Sequence, residues 1–215
     1  MGQVSPANLP AGPPASGPAC TCTSIPLEQI PLYLMPDTNV VQAIQTFGEY
    51  IFENHLDRPA AKRLYSNGPN YVDEVESLAC FLTPVTRTPV RFIESPLTLF
   101  EFSRTRNPVK RRRLLDYADK LLVHGLDNLP PGASLGSLSP SQARLSDFRT
   151  GVSDPLSQLD RFLFTESRRA RCQAFLTMDH KAMKHLRSSR EGRGLRVICP
   201  AQYWQLLRPW YRLYA

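Results

Sequence analysis

The stretch PLYLMPDTNV at residues 31–40 predicts a strand, a tight turn and the start of a helix. Its first five residues form an apolar run that suits a buried strand. Apolar residues from Val40 to Ile51 then recur at helical spacing, and Asp37 or Asn39 is placed to cap the helix. A buried strand that turns directly into a helix is the opening of an α/β fold.

The pattern of an apolar segment followed by a helix recurs along the chain. Residues 174–177 and 195–198 are predicted strands, and residues 90–93 are a candidate strand. Between them the sequence predicts helices over 71–82, 96–106, 108–124 and 155–171, and Gly125 is expected to close the third of these. Strands that alternate with helices favour a parallel sheet.

Length, composition and charge narrow the functional class. A chain of 215 residues suits one domain with extras, and no apolar run approaches the ~18 residues of a membrane span, which excludes a channel or transporter. The formal net charge is +7, and residues 160–196 carry ten Lys or Arg against four acids. This basic region predicts an anionic partner, nucleic acid first, with a solvated basic face as the alternative.

The sequence predicts a disordered Pro-rich tail over 1–26 and one domain over 27–215 with a loop insertion at about 127–150. Residues 1–27 contain no charged side chain, which is unlike the basic start of a signal peptide. The five cysteines include no C-x-x-C pair, so neither a disulfide framework nor a zinc ligand set is expected. We therefore expect a cytoplasmic location.

Acidic residues stand where strands of a parallel sheet would end. Asp37 and Asp179 each follow a predicted strand directly, and the carboxyl ends of parallel strands face one crevice. Glu101 lies on a helix after the candidate strand, and Asp160 lies 19 positions ahead of Asp179. Carboxylates gathered in one crevice repel unless a cation neutralises them, and oxygen ligands suit Mg²⁺ or Mn²⁺. Such an ion supports hydrolysis of a phosphodiester.

These acidic segments also resemble a known family. PDTNV at 36–40, LTLFEF at 97–102, Asp160 and FLTMD at 175–179 are similar, in that order, to the acidic motifs of PIN-domain nucleases. VICPAQYW at 197–204 resembles the last strand and helix of that family. The resemblance covers roughly residues 30–207. It implies a PIN-like three-layer α/β/α sandwich with a central, mainly parallel sheet, and divalent-metal-dependent cleavage of RNA.

By position, the resemblance assigns a set of acids both as catalytic residues and as ligands of Mg²⁺ or Mn²⁺: Asp37, Glu101, Asp160 and Asp179. Asn39 and Thr177 would be polar supports that orient these carboxylates. Asp154 competes with Asp160 as the third acid, and the 19-residue spacing to Asp179 favours Asp160. Taken singly, Asp37 and Asp179 also fit ordinary helix N-caps, while Glu101 and Asp160 fit solvent-facing helix positions.

Basic residues between two predicted helices are candidates for binding a phosphate backbone: Arg104, Arg106, Lys110, Arg111 and Arg112. The run from Lys110 to Arg113 lies in the first turns of its helix, where the helix dipole disfavours cations, and a bound phosphate would favour that placement. The expected partner is RNA. The family adds an antitoxin-like protein and a second copy of the chain as further candidates.

The leading hypothesis is therefore an endoribonuclease that hydrolyses single-stranded RNA, including a toxin of a toxin–antitoxin pair. The alternative is a catalytically silent module of the same fold that binds RNA or protein. A third hypothesis is a phosphatase with Asp37 as covalent nucleophile, because haloacid-dehalogenase-like phosphatases begin with a similar strand and Asp turn. Those enzymes carry a second Asp two residues on, where this chain has Asn39.

Overall fold

The structure is a computed structural model that describes residues 25–83, 90–135, 158–188 and 194–213. The predicted tail over 1–26 therefore lies almost wholly outside the described residues. Most of the predicted loop insertion, residues 136–150, lies outside them too, as does Asp154.

A sheet of four parallel strands forms the centre of the described residues. The strands are β1 (Tyr33–Pro36), β2 (Arg91–Phe92), β3 (Ala174–Leu176) and β4 (Arg196–Ile198), in the spatial order β2-β1-β3-β4. Each neighbouring pair is parallel. The predicted α/β class with a parallel sheet is confirmed.

Nine α-helices connect and flank these strands within the described ranges. They are α1 (Thr38–Thr46), α2 (Gly48–Glu53), α3 (Arg58–Ser66), α4 (Pro69–Leu82), α5 (Pro96–Ser103), α6 (Pro108–Asp127), α7 (Gln158–Arg169), α8 (His180–Ser188) and α9 (Pro200–Leu207). Short 3₁₀ helices lie at Leu27–Gln29 and Arg208–Leu213. Over the described ranges, none of these helices is both long and apolar enough to cross a bilayer.

Alternate strand residues pack into two different apolar clusters. One cluster joins the sheet to α1, α4 and α9 through Leu34, Ala174, Leu176 and Ile198. The other joins it to α7 and α8 through Met35, Phe175 and Val197. Since successive side chains of a strand point to opposite faces, both faces of the sheet are covered by helices. This explains why the strands read as continuous apolar runs.

The strand order places a crevice between β1 and β3. The chain passes from β1 to β2 on one side and later enters β3 on the other side of β1. Connections that leave neighbouring strands in opposite directions open a crevice at their carboxyl ends, where ligands bind in open α/β sheets. Asp37 follows β1 at this edge, and Thr177 follows β3.

Two details of the helices differ from the sequence prediction. The helix predicted through Val40 and Ile51 is two helices, because α1 ends at Thr46 and α2 begins at Gly48, a poor helix former. Gly125 does not close α6, which continues to Asp127. A Cβ on Gly125 would lie 3.1 Å from the Glu94 nitrogen and 3.3 Å from the Phe92 oxygen. Glycine is needed here so that α6 can lie against the end of β2.

Candidate metal centre

Asp37 is fixed at the carboxyl end of β1 by the start of α1. Its backbone N–H continues the sheet ladder by donating to the Leu176 oxygen at 2.8 Å. Asp37 is also the N-cap of α1, and its Oδ1 accepts a hydrogen bond from the Thr38 nitrogen at 2.7 Å. The residue is only 5% exposed. One carboxylate oxygen therefore serves the helix, and both oxygens are held in a buried position.

The two residues predicted as polar supports join the ends of β1 and β3. The buried Thr177 hydroxyl donates to Asp37 Oδ2 at 2.7 Å and accepts from the Asp179 nitrogen at 3.0 Å. Asn39 Oδ1 accepts from the Met178 nitrogen at 3.2 Å. Thr177 thus orients Asp37 directly, whereas Asn39 orients the backbone after β3.

Glu101 reaches the same edge of the sheet from α5. This helix is capped by Ser95, whose hydroxyl accepts from the Leu97 nitrogen at 3.2 Å. The Thr38 hydroxyl donates a hydrogen bond to Glu101 Oε2 across 63 positions of sequence. Sequence reasoning did not single out Thr38, although its place directly after Asp37 in the PDTNV motif was a usable signal.

Three of the predicted acids influence each other electrostatically. Burial raises the pKa of Asp37 to about 7; the Thr177 hydrogen bond opposes this rise, and the charges of Asp160 and Glu101 add to it. Burial also raises the pKa of Glu101, with a further contribution from the charge of Asp160. We call Asp37, Glu101 and Asp160 the acidic centre. Asp160 lies in the first turn of α7 and is half-buried.

Asp179, the fourth predicted acid, stands apart from this group. It is exposed, and its Oδ1 accepts from the Lys181 nitrogen at 2.8 Å and the Ala182 nitrogen at 3.0 Å at the start of α8. Its charge is not among those that raise the pKa of Asp37 or Glu101. Asp179 is connected to Asp37 through the Thr177 hydroxyl, and its observed role is that of a helix cap.

Glu94 is an acid that the sequence reasoning missed. It is fully buried, Oε1 accepts from the Ser95 nitrogen at 3.1 Å, and Oε2 has no hydrogen-bond partner among the described residues. Burial raises the pKa of Glu94 to about 8; the nearby Thr98 hydroxyl opposes the rise, and the charge of Asp37 adds to it. Glu94 directly follows the candidate strand at 90–93, the same signal that identified Asp37.

The predicted phosphate-binding residues lie along the connection between α5 and α6. Arg104, Arg106, Lys110 and Arg112 are exposed, and Arg111 is half-buried. Arg104 lies near enough to Glu101 to lower its pKa, and its guanidinium lies 6.0 Å from the centre of the Phe100 ring. Asn107 caps α6 by accepting from the Lys110 nitrogen at 3.0 Å. A positively charged surface therefore begins beside the acidic centre.

The acidic centre has the chemistry of a site for a hard cation. Its members offer only carboxylate oxygens, the ligands preferred by Mg²⁺ and Mn²⁺. Burial, with a smaller contribution from neighbouring acids, disfavours the charged forms of Asp37 and Glu101 and raises the pKa of each, and a bound cation would offset that cost. The carboxylate oxygens of the acidic centre are less tightly gathered than the ligand atoms of another group among the described residues, whose three ligand atoms all lie within 4.8 Å of one another.

Comparisons with known proteins do not add a family to these observations. The chain matches no protein-family model, no curated protein and no solved structure. The resemblance to PIN-domain nucleases therefore rests on the motifs of this sequence alone.

Proposed function

We propose that this protein is a divalent-metal-dependent endoribonuclease that hydrolyses phosphodiester bonds of single-stranded RNA. The proposal includes a PIN-like three-layer α/β/α sandwich as its fold. Its main support is the position of Asp37 and Glu101, which Thr38 contacts together, and of Asp160, whose charge lies near enough to raise the pKa of both. These acids come from three elements spread over more than a hundred positions, and they lie at the crevice where open α/β sheets bind ligands.

Each residue of the site has a distinct task in this proposal. Asp37 would hold Mg²⁺ or Mn²⁺ from its fixed position at the end of β1, while Glu101 and Asp160 would bind the ion from α5 and α7. When bound, such an ion supplies an activated water and neutralises charge on the phosphate. Thr177 keeps Asp37 oriented, and the Thr38 hydroxyl does the same for Glu101. Asp179 would contribute at longer range, because its Oδ1 is engaged by α8.

The exposed basic residues support a nucleic-acid substrate, and the family resemblance implies RNA. Arg104 adjoins Glu101, and Lys110 and Arg112 are exposed in the first turn and a half of α6. Exposed cations along one edge would follow a phosphate backbone into the acidic centre. The family resemblance also supplies two candidate partners, an antitoxin-like inhibitor and a second copy of the chain. A role as a toxin depends on the antitoxin-like inhibitor.

Cleavage of a labelled single-stranded RNA by the full chain tests this function. We expect cleavage in Mn²⁺ or Mg²⁺, none in EDTA, and a loss of at least ~10³-fold in Asp37→Asn. Asp116→Asn, which neutralises an exposed acid on α6, is the matched control and should cleave as the wild type does. Cleavage by Asp37→Asn at the wild-type rate would refute the proposal.

The second candidate function is a catalytically silent module that binds RNA or protein. The observation that favours it is the capping role of Asp179, which leaves three acids rather than four at the crevice. The same experiment separates the two. RNA binding without turnover in Mn²⁺, equal in the wild type and in Asp37→Asn, would establish the silent module.

A further inference from the structure

A second group of side chains that can act as metal ligands includes the first residue of α8, the helix that follows β3. Glu74 comes from α4, His180 is the first residue of α8, and Cys199 lies between β4 and α9. We call these residues the Glu74 cluster. One ligand atom from each lies within 4.8 Å of the other two, and His180 Nε2 lies 3.2 Å from Glu74 Oε1. Neither the acidic centre nor its proposed chemistry uses any of them.

Glu74 is held as a metal-ligating carboxylate would be. It is 3% exposed and lies on the apolar face of α4, next to the fully buried Val75 and Leu78. Buried glutamates are rare unless they are paired. Its Oε2 accepts from the Ala201 nitrogen at 2.8 Å, which leaves Oε1 directed at His180. Outer hydrogen bonds of this kind orient the ligating carboxylates of metal sites.

Cys199 and His180 are the other two residues of the Glu74 cluster, and they differ in solvent exposure. Cys199 is 3% exposed, whereas the His180 side chain is 47% exposed. Burial raises the pKa of Cys199 to about 11, and the Glu74 carboxylate beside it contributes to that rise. A thiol that stays protonated at neutral pH is a poor nucleophile, so the cluster does not suit cysteine–histidine catalysis.

We propose that Glu74, His180 and Cys199 form a binding site for Zn²⁺ or a similar borderline metal ion. One oxygen, one nitrogen and one sulfur ligand suit Zn²⁺ and do not suit Mg²⁺. The oxygen and nitrogen ligands of a tetrahedral zinc ion lie ~3.3–3.5 Å apart. The 3.2 Å between Glu74 Oε1 and His180 Nε2 is therefore close to the separation that zinc binding requires. Binding forms a Zn–S bond, and the Cys199 proton passes to solvent. The exposed side of His180 leaves the fourth position open to water.

The site would connect three separate parts of the fold. Glu74, His180 and Cys199 are far apart in sequence, so an ion that binds only the folded chain raises its stability. At a free Zn²⁺ concentration ~100 times the Kd, the melting temperature should rise by roughly 5–10 °C. The site would also fix His180, the residue that follows Asp179.

Cobalt substitution tests the proposal, because a cobalt–thiolate bond gives a charge-transfer band in the near ultraviolet. The full chain is used with Cys20→Ser and Cys22→Ser throughout, which removes the two thiols near the start of the sequence. We expect the band in this background, its displacement by Zn²⁺, and its loss in Cys199→Ser. Zinc affinity should fall more than ~100-fold in Cys199→Ser and in His180→Asn. The second variant changes a half-exposed residue and keeps the test decisive if Cys199→Ser does not fold.

Two controls separate this site from other thiols and from the proposed nuclease. Cys172→Ser removes a buried thiol of the other apolar cluster and should keep the band. Asp37→Asn should keep it as well, so loss of cleavage with retained cobalt binding leaves the zinc site standing. A chain that binds neither Co²⁺ nor Zn²⁺, or a band that survives in Cys199→Ser, would overturn the proposal.

Discussion

The acidic centre and the Glu74 cluster are two groups of candidate metal ligands, and their ligand atoms are gathered to different degrees. In the Glu74 cluster the three ligand atoms lie within 4.8 Å of one another. In the acidic centre, Asp37, Glu101 and Asp160 act on each other through charge, and their oxygens do not form so tight a group. The difference follows from the chemical groups that make up each site. A carboxylate, an imidazole and a thiol attract one another by hydrogen bonding, whereas three carboxylates repel.

The two groups differ in what brings their ligand atoms together. The ligand atoms of the Glu74 cluster lie close together because Glu74 accepts hydrogen bonds from its surroundings. In the acidic centre, Thr38 donates to both Asp37 and Glu101, but these neutral donors do not cancel the charge of the carboxylates, so we expect a hard cation to draw them together.

The largest expected effect is that of neutralising one predicted acid at a time, which tests whether Asp160 or Asp179 belongs to the acidic centre. Asp160→Asn should reduce metal-dependent RNA cleavage by about 10²–10³-fold, because it removes a ligand charge. Asp179→Asn keeps a residue that caps α8 equally well and should reduce cleavage by less than ~10-fold. Initial rates in Mn²⁺ measure both effects. A larger loss in Asp179→Asn than in Asp160→Asn would place Asp179 in the centre instead.

Removing the Thr177 hydroxyl tests whether the orientation of Asp37 matters to the acidic centre. Thr177→Val removes the hydrogen bond to Asp37 and the acceptor for the Asp179 nitrogen, at a cost of about 1–3 kcal/mol in unfolding free energy. The pKa of Asp37 should rise further, because that hydrogen bond lowers it, and Mn²⁺ affinity should fall about 10–100-fold. Titration calorimetry measures this. Thr177→Ser keeps the hydroxyl, so equal affinities in both variants would contradict the account.

The cost of burying a charged Glu94 at this edge of the sheet can be measured, because it makes the free energy of unfolding depend on pH. Its pKa is raised from 4.5 to about 8 in the folded protein, so the folded state holds a proton that the unfolded state has lost. The associated stability is fully present below about pH 4.5 and is lost as the pH rises through about 8. The wild-type free energy of unfolding should therefore fall across this range, by at most about 1.4 kcal/mol per pH unit for this proton.

Glu94→Gln is the variant that isolates this contribution. The amide that replaces the carboxyl group would stay neutral at every pH, so the cost of ionising a buried group at this position would be absent. We expect a flatter stability profile and a more stable protein above pH 8, measured by urea unfolding at several pH values. Parallel profiles of the two proteins would show that Glu94 is ionised at neutral pH in the fold.

The smallest expected effect is that of removing positive charge from the basic surface beside the acidic centre. The double substitution Lys110→Ala and Arg112→Ala removes two exposed cations of α6. The slope of log affinity for single-stranded RNA against log salt should become shallower by about 1.4, with a several-fold weaker affinity at low salt. Lys120→Ala, an exposed cation later on the same helix, is the control. An unchanged slope in the double variant would remove α6 from the RNA-binding surface.

Strand positions, the parallel sheet and most helix starts were predictable from the sequence, because they depend on local signals. The apolar run before Asp37 and the helix that begins at residue 96 are examples, and both stand where the prediction places them. Gly125 was mistaken for a helix end because its real constraint is the nearby backbone of β2, which no local pattern shows.

The candidate site was predictable in outline and not in its contacts. The position of Asp37 after a buried strand was enough to place it at the crevice. The Thr38 hydrogen bond to Glu101 and the assembly of Glu74, His180 and Cys199 depend on distant segments meeting in space. Glu74 in particular has the sequence spacing of an ordinary helix residue, and only its burial distinguishes it.

The most direct test of the account is an anomalous difference map from crystals of the protein grown in saturating Mn²⁺. The account predicts a peak between the carboxylates of Asp37, Glu101 and Asp160, with oxygens of all three at about 2.0–2.3 Å from it. The absence of a peak between these three carboxylates would contradict it.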